Sequence, residues 1–186
     1  MRTRAARAVL SILAPSIVLA LAACDSSGAG GVEPIGEGDP YPAVRVQDCD
    51  GNEVELRSWL GAHDASYVTF GAQWCTACQE EAPVINRELV DGLASRGEAV
   101  GVVQILVENQ PDEPPPASLC AAWQGDLGAR YTVLVDTRQE HLEPLFGGAV
   151  GTLPLHLVVT RDGVIRYRKL GAIPTDVKAL VEGWLP

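Results

Sequence analysis

Ser66-Tyr67-Val68-Thr69-Phe70-Gly71-Ala72-Gln73-Trp74-Cys75-Thr76-Ala77-Cys78 runs from an apolar segment into a pair of cysteines three apart. The apolar, β-prone residues from Tyr67 to Ala72 predict a strand. Thr76 to about Arg96 predicts a helix, with Val84, Ile85, Leu89, Val90 and Leu93 on its apolar side and Pro83 as an expected kink. Cys75 therefore stands where a strand hands over to a helix. There the unpaired backbone N–H groups and the helix dipole favour a thiolate. Cys78 lies about one turn further on, within reach of a disulfide with Cys75. This is the layout of a dithiol–disulfide exchange site.

Working outward, Val44-Arg45-Val46-Gln47 and Val54-Glu55-Leu56 alternate on either side of Asp50-Gly51 and predict a β-hairpin, with a short capped turn at Ser58 to Gly61. Ala99 to Val107 reads as a strand covered on both faces. Glu108 to Ser118 contains Pro111, Pro114, Pro115 and Pro116 and is expected to be an irregular loop. A helix from Leu119 to Gln124, a strand at Thr132 to Val135 and a brief helix from Gln139 to Phe146, broken by Pro144, follow. Strands Leu155–Thr160 and Val164–Lys169 join across Asp162-Gly163. A closing amphipathic helix opens at Pro174. Strands alternating with helices, then a hairpin and a helix, predict an α/β fold: a central mixed β-sheet flanked by helices on both sides.

The N-terminus reads as an address label. Arg2, Arg4 and Arg7 precede an apolar run from Ala8 to Ala20, too short for a comfortable permanent span. Leu21-Ala22-Ala23-Cys24 then resembles a bacterial lipobox, which implies a signal peptide over 1–23 and lipidation of Cys24. Asp25 favours retention at the inner membrane in some bacteria. Residues 24–40 are Ser/Gly/Glu-rich and read as a flexible tether, leaving 41–186 as one domain with a real core. Loss of residues 1–23 removes three arginines and no acid, taking the formal charge from −10 to −13. Such a surface repels nucleic acid and anionic lipid headgroups, so attachment to a membrane would rest on the lipid.

With Cys24 acylated, four thiols remain. Spacing assigns Cys75 to Cys78, and Cys49 and Cys120 are then either a second, structural disulfide or two buried free thiols. No metal or cofactor is expected. Zinc would want a second Cys pair near Cys49 or Cys120, and haem attachment would want His at position 79, which is Gln79. A peroxidatic site would want Pro and Thr where Ala72 and Val68 stand.

The order of elements around Trp74-Cys75-Thr76-Ala77-Cys78 resembles the thioredoxin fold. Three further matches resemble the TlpA/ResA-like membrane-anchored thiol–disulfide oxidoreductases. These are the hairpin Gln47 to Leu56 ahead of the core, the continuation Cys78-Gln79-Glu80-Glu81-Ala82-Pro83, and Gly151-Thr152-Leu153-Pro154 entering the last hairpin. The resemblance implies an N-terminal β-hairpin extension on a thioredoxin-like domain. It implies that Cys75 attacks, Cys78 resolves, and Glu81 moves protons for the buried thiol. It also implies that Pro154 has a cis peptide bond facing the disulfide and that Leu153 offers backbone to an extended partner. Trp74 is expected to form an apolar wall beside Cys75, the alternative being ordinary core packing. The implied partners are exported protein disulfides or thiols, a membrane thiol carrier and, through the N-terminal lipid, a membrane. The implied location is extracytoplasmic, with reduction the expected direction. Phe70-Gly71 replaces the family's aromatic pair, Thr69 stands where thioredoxins carry a buried Asp, and Thr76-Ala77 leaves the direction of electron flow unread. The alternative is a Sco-like copper chaperone using Cys75, Cys78 and His156, although those proteins space their cysteines CxxxC. The plain reading of His156 is a strand residue packed or hydrogen-bonded in place. His63 and His141 sit in loop or helix-edge contexts without a partner cluster.

Overall fold

The computed structural model describes residues 33–186. The expected signal peptide, Cys24 and the first part of the expected tether lie outside the described residues. A seven-stranded mixed sheet organises the domain. Its strands are β1 (Arg45–Gln47), β2 (Glu53–Glu55), β3 (Ala65–Ala72), β4 (Val100–Glu108), β5 (Thr132–Val135), β6 (Leu155–Thr160) and β7 (Ile165–Leu170), in the order β2-β1-β5-β4-β3-β6-β7. β3, β4 and β5 run parallel, while β6, β7 and the β1–β2 hairpin are antiparallel to their neighbours. β3 is buried along its whole length. That is why it reads as a continuous apolar run rather than an alternating one.

Helices cover both faces. On one side, α1 (Leu56–Gly61) and α5 (Leu142–Phe146) lay Leu56, Leu60 and Leu145 against Val68, Phe70, Val103 and Ile105. On the other, α2 (Thr76–Glu80), α3 (Ala82–Ile85), α4 (Ser118–Leu127) and α6 (Val177–Glu182) pack Cys78, Ile85, Trp123 and Val181 against Tyr67, Leu106 and Val158. The mixed sheet flanked by helices is the architecture the sequence predicts, hairpin included.

Several boundaries differ. The helix expected over Thr76–Arg96 is in pieces: α2, α3, a π-helical turn at Asn86–Asp91 and a 3₁₀ stretch at Ala94–Ala99. Pro83 has no N–H to donate to the carbonyl four residues back, and the break between α2 and α3 falls at Glu81. Pro144 does not break its helix. It sits in the first turn of α5, where its missing donor has no helical partner to lose. The last helix starts at Val177, with a turn separating it from Pro174.

The end of the expected tether is also not free. Ile35 N–H donates to Pro144 O (2.9 Å), Gly38 N–H to Ile165 O (2.8 Å), and Ile165 N–H to Asp39 O (2.9 Å). Pro40 bridges to Val164, so the packed domain begins at Ile35 rather than at 41. At the other edge a disulfide joins Cys49, in the β1–β2 turn, to Cys120 on α4, with 4.9 Å between Cα atoms. Among the described residues no helix is long and apolar enough to cross a membrane.

Candidate active site

Cys75 and Cys78 form a disulfide at the start of α2. Cys75 is the N-cap, in extended conformation (φ −85°, ψ 93°), and the Cys78 N–H donates to its Sγ at 3.1 Å. A donor already aimed at that sulfur favours the thiolate when the bond is reduced. Cys75 retains 5% exposure and Cys78 1%, so Cys75 is the outer residue of the pair and Cys78 the inner one.

The helix start can lie this close to the sheet because residue 71 is glycine. A Cβ there would stand 2.6 Å from Gln104 Nε2, 3.1 Å from Cys78 Cβ and 3.4 Å from Cys78 Sγ. A larger side chain at this position has no room in this chain. On the other side of β3 the register pairs Phe70 with Leu155. One residue further along each strand are Gly71 and Pro154, so Pro154 reaches the level of the residue that touches Cys78. The Leu153–Pro154 peptide is cis, and the Pro154 carbonyl accepts the Gly171 N–H at 2.8 Å. Leu153 is half-buried against the core cluster that contains both active-site cysteines.

Glu81 sits at the α2/α3 break and is 7% exposed. Its Oε1 accepts the Ile173 N–H at 2.7 Å, while Oε2 has no hydrogen-bond partner. Burial pushes this carboxyl up to about 7, against the opposing pull of the Ile173 N–H and the Lys169 cation. A carboxyl poised near neutrality can take and return a proton there.

His156 is fully buried on β6. Its Nε2 lies 2.8 Å from Gly171 O and its Nδ1 2.7 Å from the Tyr67 hydroxyl. A carbonyl only accepts, so Nε2 carries the proton and Nδ1 accepts from Tyr67. Burial lowers the imidazole to about 4. Both nitrogens are thus spent on protein partners, which removes the third ligand the copper-chaperone reading needs. Among the described residues no group of three or more His, Cys, Asp or Glu is arranged to hold a metal.

Trp74 is not a purely apolar wall. The residue is 37% exposed, and its Nε1–H donates to Glu108 Oε2 at 2.9 Å. Glu108 itself is buried, its Oε1 accepting the Asp112 N–H and its carbonyl the Gln73 N–H. One carboxylate therefore ties the site tryptophan to the start of the proline-rich loop. Sequence reasoning assigned Glu108 to that loop, although a charge closing a nine-residue apolar strand was a visible signal. It also missed Gln104, which lies across from Thr69 on β3, as His156 does on the other side. The three make a buried polar row beneath α2. His141 also departs from expectation: it is buried, its Nδ1 2.8 Å from Asp136 Oδ2 and its Nε2 2.8 Å from Tyr41 OH, on the sheet face away from the cysteines.

Comparison with known proteins agrees with this geometry. The redoxin family model matches residues 36–182. A thiol–disulfide oxidoreductase ResA from Geobacillus thermodenitrificans is 25% identical over 150 residues, covering 80% of this chain and 78% of the relative. Among solved structures, the thioredoxin domain of a thiol–disulfide oxidoreductase from Bacteroides vulgatus superposes with a TM-score of 0.63 at 17% identity, covering 82% of this chain and 99% of that one. A thiol:disulfide interchange protein of the thioredoxin family from Chlorobium tepidum does so at 0.62 and 24% identity, over 82% and 99%.

Proposed function

This chain belongs to the redoxin family and is a thiol–disulfide oxidoreductase, and on that premise we propose a tethered one. It works outside the cytoplasm, held to the inner membrane by a lipid on Cys24, and reduces disulfides of exported proteins. The observation that carries the chemistry is the asymmetry of the pair: an outer cysteine whose sulfur accepts an N–H, and a deeper one on the same short helix that leads to Glu81.

In the reduced protein the Cys75 thiolate attacks one sulfur of a partner disulfide. The partner's S–S bond breaks, a Cys75–partner bond forms, and the departing sulfur takes up a proton. Cys78 then gives its proton to the Glu81 carboxylate and attacks Cys75 Sγ; the Cys75–partner bond breaks, and the second partner sulfur leaves as a thiolate that takes its proton from solvent. The protein is left with the Cys75–Cys78 disulfide, two electrons poorer. A membrane thiol carrier returns them, and Glu81 returns its proton. The cis Leu153–Pro154 segment is the surface on which an extended partner strand would lie, with Trp74 on the Cys75 side.

The experiment is a Cys78→Ser variant expressed in its own compartment, with membranes resolved on non-reducing gels. Exported proteins trapped through Cys75 are expected. No trapped species, or equal trapping by Cys75→Ser, would defeat the proposal. The reduction potential of the pair then reads the direction: near about −270 mV for a reductant, near about −120 mV for an oxidant.

A further inference from the structure

His156 carries no role in the exchange scheme, yet both of its ring nitrogens are engaged by protein partners. Its Nε2–H faces two acceptors at once: Gly171 O at 2.8 Å, and Glu81 Oε2 at 3.6 Å. That Glu81 oxygen is buried and has no hydrogen-bond partner. Gly171 in turn donates its own N–H to the Pro154 carbonyl, and Ile173, two residues on, donates to the other Glu81 oxygen. The ring is held in plane by Tyr67, whose hydroxyl donates to Nδ1. One imidazole therefore spans the proton-carrying carboxyl and the loop behind the cis-proline.

We propose that His156 is a positioning residue for Glu81: its Nε2–H serves Gly171 O while Glu81 is protonated and turns to Glu81 Oε2 once Glu81 is ionised. The two acceptors compete for one donor. A neutral carboxyl is a weak acceptor and leaves the N–H with Gly171. A carboxylate with an unsatisfied buried oxygen draws it across, because a charge-assisted bond is roughly twice as strong as a neutral one. Loss of the Cys78 proton to Glu81, and its later release, would thus be felt at Gly171 and so at the Pro154 carbonyl.

The other titratable groups facing this cluster are three phenols and one lysine. The Tyr67 and Tyr131 phenols are pushed up by burial, Tyr131 to about 12. Tyr167 on β7 is raised for the same reason. The Lys169 cation, opposite His156 on β7, acts on both Glu81 and His156. Glu81 is the group that changes state.

This rests on Glu81 as the proton acceptor, but its test needs no turnover. The ¹⁵N shift of His156 Nε2 is followed from about pH 5.5 to 9 in the oxidised wild-type protein and in Glu81→Gln. An inflection at the Glu81 midpoint that disappears in Glu81→Gln is expected. A flat titration in the wild type, or an inflection that survives in Glu81→Gln, overturns the proposal. His156→Leu is expected to raise the Glu81 midpoint by about one unit, tenfold in proton affinity, and His156→Gln, which keeps a side-chain N–H, to restore most of it. If Leu and Gln behave alike, a donor is not what matters and the proposal falls. Should His156→Leu not fold, the wild-type titration decides alone. A flat histidine leaves the exchange chemistry standing, and an absence of trapped partners leaves the His156–Glu81 coupling standing.

Discussion

Replacing Glu81 with glutamine removes one titration and keeps an oxygen for the Ile173 N–H, so the consequence can be worked through. The folded carboxyl is raised from its ordinary 4.5 to about 7, with burial the largest cause. A raised acid favours the protonated form in the folded state. Below about pH 4.5 both folded and unfolded chains hold the proton, and Glu81 costs nothing. Between there and about 7 the unfolded chain has released its proton and the folded one has not, so stability falls as pH rises, then levels off. A difference of about 2.5 units amounts to about 3 kcal/mol at pH 8. At 7% exposure, solvent screening takes little of this away. His156 acts in an overlapping window with the opposite sign: lowered to about 4, it contributes stability above its ordinary 6.5 that is lost as pH falls. It is present in both proteins, so the difference curve isolates Glu81. Thermal melts of oxidised wild type and Glu81→Gln, followed by circular dichroism, should diverge between about pH 4 and pH 8 by about 3 kcal/mol, or roughly 6–12 °C, with the variant gaining. Parallel curves across that range would refute the burial argument for Glu81.

Three further outcomes follow from the packing. Gly71→Ala places a Cβ 2.6 Å from Gln104 Nε2 and 3.1 Å from Cys78 Cβ, and should cost about 1–3 kcal/mol in urea unfolding while slowing exchange; an unchanged midpoint and rate would contradict the close approach. Removing the Cys49–Cys120 bond with paired alanines frees a loop spanning a separation of 71 residues and should cost up to about 4 kcal/mol, leaving the Cys75–Cys78 reduction potential unmoved; a shifted potential would mean the two disulfides are coupled. In the fully reduced protein near neutral pH, Cys75 should alkylate at least about tenfold faster than Cys78, read by mass spectrometry; equal rates would remove the inner/outer assignment.

Much of the fold is legible in the residues because its signals are local. The strand before Cys75, the hairpin turns at Asp50-Gly51 and Asp162-Gly163 and the apolar run of β4 each show in a short window. The cysteine pair is legible for the same reason. What escaped depends on cross-strand register and on chain folding back. Gln104 and His156 flank Thr69 only because β4 and β6 sit on either side of β3, a placement no local window contains. Glu81 shows by spacing that it shares a helix face with Cys78. Nothing in the spacing shows that its carboxyl meets the Ile173 N–H, ninety-two residues away. Ile35 to Pro40 reads as linker by composition, yet backbone hydrogen bonds to Pro144 and Ile165 and a bridge to Val164 fix it regardless of side chain. Trp74 reads from the sequence as an apolar wall beside Cys75; its polar anchor, Glu108, is hidden by the prolines that follow it.

Attack by Cys75 and resolution by Cys78 can be read directly with pure components. Reduced Cys78→Ser protein is mixed with an excess of a peptide disulfide and quenched with acid, and the products are mapped by mass spectrometry. One peptide per protein is expected, linked through Cys75 and stable because no inner thiol resolves it, whereas wild type releases the peptide and ends as the Cys75–Cys78 disulfide. No adduct at Cys75, or an adduct that wild type retains as well, would contradict it.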